Sequence, residues 1–113
     1  MPFRRAAFAS IALIALFFTS PALADKRVAL VIGNSAYVHS PPLTNPVNDA
    51  RAIARVLTEA GFDVTVGLDL NKVAFDAKVR EFSQSLEGAD VGLLFYSGHG
   101  LQVAGRNYLV PVD

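Results

Sequence analysis

The spacing of apolar residues alternates between two periods along this chain, and that alternation leaves few folds open. Arg27 to Ile32 is an almost continuous aliphatic run stopped by Gly33, the pattern of a strand buried on both faces. Asn34 to Asn45, with Pro41 and Pro42, reads as a long loop. Asn45 followed by Pro46 predicts a helix start with Asn45 as the cap, and Ala50, Ile53, Ala54 and Leu57 recur at helical spacing up to about Ala60, where Gly61 ends the helix. Phe62 to Leu68 alternates apolar and polar residues, a second strand. Asp69 or Asn71 can cap a second helix, in which Phe75, Val79, Phe82 and Leu86 share one face until Gly88. Val91 to Tyr96 is the third strand, and Leu101–Val103 with Tyr108–Val110 predicts a hairpin whose turn takes its unusual backbone angles at Gly105. Strand, helix, strand, helix, strand predicts an α/β fold, a mainly parallel sheet with helices on both faces, and three strands leave the far edge of the third uncovered.

Ahead of this pattern stand Arg4 and Arg5, an apolar run from Ala6 to Phe18, and the small-residue triplet Ala22-Leu23-Ala24. This order reads as a secretory signal peptide covering residues 1–24, cut after Ala24 and lying outside the fold, with residues 25–113 as the folded part. The run is 13 residues long, short of the roughly 20 a membrane span needs, so contact with the membrane is expected only in passing during export, to the periplasm or beyond the cell. The leader takes two of the 10 basic residues and none of the 10 acidic ones, leaving a net charge of −2. That gives no electrostatic footprint for nucleic acid.

In an open α/β sheet the ligand crevice lies beyond the carboxyl ends of the strands, where strand order reverses. If the second strand lies beside the first and the third on the first's other side, Gly33–Asn45 and Ser97–Gly100 border that crevice. The latter holds His99 between Gly98 and Gly100, predicting an exposed imidazole, the side chain whose ordinary charge change falls nearest neutrality. A ring turned inward and sealed beneath its neighbours would count against a catalytic role. His39, in the proline-containing loop, has no partner at motif spacing and reads as a solvent-exposed residue. With no cysteine and only two histidines, no transition-metal site or disulfide is expected. Gly33 stands without the further glycines of a dinucleotide or phosphate loop, so no cofactor is expected, and Phe95 replaces the first glycine of a serine-hydrolase nucleophile elbow.

Tyr96-Ser97-Gly98-His99-Gly100 resembles the histidine motif of the caspase-like cysteine peptidases, in particular their bacterial metacaspase-like branch. Val28 to Tyr37 resembles that family's first strand and turn, Asn48-Asp49-Ala50 the start of its first helix, and Gly61 to Val64 the entry to its second strand. Gly105 to Asp113 resembles its Gly-x-x-Tyr-Leu-x-Pro-x-Asp stretch. The resemblance implies a three-layer caspase-like sheet of flavodoxin-like order, here the N-terminal part of the large catalytic subunit. It also implies proteolysis by a Cys-His dyad, with His99 as the catalytic histidine and the Gly100 N–H as an oxyanion-hole donor. A peptide or protein is the implied substrate.

The chain departs from that family in two places. Only 14 residues follow His99, whereas caspases place the cysteine about 50 residues later, so these residues are read as a fragment with the histidine half of the dyad and no activity alone. Where animal caspases carry an arginine for a substrate aspartate, this chain reads Leu43-Thr44-Asn45, which does not support cleavage after acidic residues. Metacaspase-like relatives prefer basic residues, but no acidic pocket group is assigned from the sequence. The alternative is a non-catalytic caspase-fold module that binds peptides or proteins; a flavodoxin-like binder of small molecules finds no support in the loops.

Overall fold

The computed structural model describes residues 7–18 and 26–113. Its elements in chain order are β1 (Ala7–Phe18), β2 (Arg27–Gly33), α1 (Pro46–Glu59), β3 (Asp63–Leu68), α2 (Lys72–Ser85), β4 (Val91–Val103) and β5 (Arg106–Leu109). They form one mixed sheet of order β1-β4-β2-β3, with β5 also paired to β4. The parallel part, β4-β2-β3, has the expected order with its reversal between β2 and β4. The architecture is the expected α/β one, a largely parallel sheet with two helices.

The continuous apolar run of β2 is explained by its central place, because a helix covers each face. Val28, Leu30 and Ile32 point into a core with Phe75 and Phe82 of α2 and with Tyr96. Val31 points the other way, onto Ala50 and Ala54 of α1 and Phe95. Alternate residues of one strand therefore feed two cores. α1 begins at Pro46 as expected, but the Asn45 side chain makes no cap bond. Ser35 Oγ accepts from the Val47 N–H at 3.1 Å instead, so a residue 12 positions upstream does the capping. Asn71, by contrast, does cap α2, accepting from the Ala74 N–H at 2.8 Å.

Two expectations are corrected here. The third strand does not stop at Tyr96 but continues to Val103, because β5 pairs antiparallel with Gly100–Val103 where β2 has run out. The edge of that strand is not uncovered either. Residues 7–18, which the leader reading puts outside the fold, pair antiparallel with β4 from Val91 to Gln102. A run of apolar residues with no strand-breaker can satisfy a free edge as readily as it can enter a membrane. The expected cut after Ala24 lies outside the described residues.

Candidate functional site

The site is built where β2, β4 and β5 end on one another. Asn34, fully buried just after β2, joins three segments: its N–H donates to Ser97 O at 2.9 Å, its Oδ1 accepts from the Leu70 N–H at 2.9 Å, and its Nδ2 donates to Val110 O at 3.3 Å. Asp69 does similar work for the loop after β2. Its Oδ1 accepts from the N–H groups of Ser35 and Ala36 at 2.8 and 2.9 Å, and it holds a left-handed backbone with φ 50°.

This frame places His99 in β4. The His99 N–H donates to Tyr37 Oη at 2.8 Å and its carbonyl accepts from Tyr96 Oη at 2.5 Å. The two phenol oxygens lie 3.1 Å apart, and Tyr37 Oη also donates to Val110 O at 2.9 Å. Burial, reinforced by the bond to Tyr37, pushes the Tyr96 phenol far above its usual range, so it stays a proton donor. Gly98 has to be glycine here, because a Cβ would stand 2.5 Å from Tyr96 Oη and 2.6 Å from Tyr37 Oη.

The imidazole is not exposed, contrary to expectation: His99 is only 7% exposed. Three groups enclose it. The Tyr37 ring packs against it at 4.5 Å between centroids, the Phe8 ring meets it edge-on at 6.5 Å, and its Nε2 lies 2.7 Å from Pro41 O. A carbonyl only accepts, so Nε2 carries a hydrogen, and the neutral ring then keeps its lone pair on Nδ1. That Nδ1 is buried without a hydrogen-bond partner among the described residues. The loop proline that looked merely like a turn residue thus fixes which nitrogen is free for chemistry.

The Gly100 N–H faces away from all of this. The N–H and carbonyl of His99 both point toward Tyr37 and Val110, so in an extended strand those of Gly100 point to the opposite edge, the one β1 occupies. On the α1 face, a cavity of about 310 Å³ is lined by Leu43, Thr44, Asn45 and Asp49, by Ser97, and by Ser10 of β1. Ser97 precedes His99 by two positions and shares its face of the strand. Asp49, in the first turn of α1, is the charged residue of that lining. The sequence pattern reads Asn48-Asp49-Ala50 as the start of a helix and carries no signal of a site role for Asp49. His39 is exposed in the loop, as expected.

The sequence model described as "Caspase domain" matches residues 26–113. Among curated proteins, the human "Mucosa-associated lymphoid tissue lymphoma translocation protein 1" and its mouse homolog are each 38% identical over 95 residues. The match covers 84% of this chain but only 12% and 11% of those relatives' own length.

Proposed function

The chain belongs to the caspase-domain family, and from that premise we propose that it supplies the histidine half of a Cys-His endopeptidase. His99 is the acid-base residue, and the free Nδ1 is the observation that supports this. With Nε2 donating to Pro41 O, Nδ1 is the atom able to take a thiol proton and later return it to the leaving amine. The Gly100 N–H donates to the oxyanion of the tetrahedral intermediate, a contribution of roughly 3 kcal/mol for one such donor. Both groups face the outer edge of β4 or its α1 side, so the thiol approaches there. No cysteine occurs in the 113 residues, and they hydrolyse no peptide alone.

Asp49 in the cavity favours a basic side chain ahead of the cleaved bond. The test is labelling of the gene product from its native locus with an acyloxymethyl ketone probe ending in arginine. Label is expected, and it should be lost in His99→Ala and kept in His39→Ala. Label untouched by His99→Ala, or taken only from an aspartate probe, would overturn the reading. One observation favours a second reading, a non-catalytic module for binding peptides or proteins: the burial of His99. That reading predicts saturable binding of extended peptides with no probe label at all.

A further inference from the structure

We propose that Ala7–Phe18 is a strand-shaped plug that keeps the candidate site closed in the uncut chain, so that removing the N-terminal segment and opening the site are one event. As regulation of the His99 site, the proposal takes its meaning from the reading above. Its geometry stands apart from that reading.

β1 covers the site from both faces of the sheet and along the edge. On the α1 face Phe8 packs against the His99 ring, and Ser10, paired opposite His99, lines the same cavity as Asp49. On the other face Ile11 takes the space a Cβ on Gly100 would need. Along the edge, Ala9 is paired with Gly100, so the strand occupies the direction in which the Gly100 N–H points. A substrate carbonyl therefore finds the oxyanion donor already taken, and a thiol finds Nδ1 enclosed.

The plug is poorly suited to remaining where it is. Phe8, Ile14 and Leu16 are 59%, 61% and 48% exposed, and Leu13 is 37% exposed. A permanent edge strand alternates apolar with polar residues and carries charge; this one does neither. Its sequence is that of a segment removed in use, held meanwhile by backbone pairing rather than by a buried face.

The test uses the full chain with a protease recognition sequence in place of residues 19–25, cut after folding and freed of the released peptide. Two readouts are followed. The first is carbethoxylation of His99 by diethyl pyrocarbonate, with exposed His39 as the internal reference. Before the cut His99 should react at least about tenfold more slowly than His39, and after it the gap should close. The second is amide exchange: Gly100 and Gln102, directed at β1, should speed up at least about tenfold, while Leu101 and Val103, directed at β5, should not change. Ile11→Glu in the uncut chain should shift both readouts the same way, which covers the case in which the cut product precipitates. The proposal is overturned if His99 matches His39 before the cut, if neither readout moves afterwards, or if all four amides speed up together, as in general unfolding. Probe labelling is a separate measurement, made on the native-locus gene product because these 113 residues hold no cysteine, so selective opening here with no label there would sink the peptidase reading and leave the plug standing.

Discussion

Tyr37 is the residue on which the His99 geometry most depends. Its hydroxyl accepts the His99 N–H while its ring bears on the imidazole. Tyr37→Phe keeps the ring and strands a buried N–H, so it should cost about 1–3 kcal/mol, read as a lower urea midpoint with unchanged slope. Tyr96 carries a pH signature. Its folded-state pKa is raised, chiefly by burial and then by Tyr37, so its contribution is complete below the ordinary tyrosine range. As pH climbs above about 10 the unfolded chain releases a proton that the folded chain retains, and stability falls. Urea midpoints measured from about pH 8 to 11 should decline in the wild type and decline less in Tyr96→Phe. At this scale the sequence was half legible. His99 stands out between two glycines, but nothing local marks Tyr37 or Pro41 as its neighbours. They reach it across 62 and 58 positions, distances that no periodicity encodes.

Among the elements, the helices and the three parallel strands could be read from their spacing because each has its own covered face. The hairpin was less legible, since it places two consecutive residues in left-handed backbone, Ala104 at φ 50° and Gly105 at φ 79°. Sequence offered only the glycine. A Cβ in that region is strained, so exposed Ala104→Gly should stabilise the chain by about 0.5–1 kcal/mol, visible as a higher thermal midpoint. Gly33 is the opposite case. A Cβ there would stand 2.7 Å from Ala50 Cβ and 2.9 Å from the Pro46 carbonyl carbon, where α1 crosses the end of β2. Gly33→Ala should therefore push α1 off the sheet at a cost of about 1–3 kcal/mol, again by urea unfolding. The extension of β4 was illegible for a related reason. Ser97 to Gly100 has no strand pattern of its own and is extended because β5, β1 and the two tyrosines hold it so.

For the whole molecule the decisive question is what sits beside β4. The strand is 13 residues long, and β1 faces 12 of them. With β1 in place the backbone of that edge is satisfied, at the cost of exposing Phe8, Ile14 and Leu16. With β1 gone, Val91 to Gln102 presents a long open edge with apolar flanks, a template for pairing with another strand. The same opening that frees His99 and Gly100 thus makes the remaining chain association-prone unless a further element fills the place. Residues 25–113 as a separate polypeptide should accordingly sediment as concentration-dependent oligomers, and any monomer should melt broadly, below about 60 °C. The uncut chain at equal concentration should show less association through that edge, and exchange protection at Gly98, Gly100 and Gln102 separates the two cases. A sharp, concentration-independent melt of monomeric 25–113 above about 60 °C would mean that the parallel core of β2, β3 and β4 with its two helices needs no edge partner.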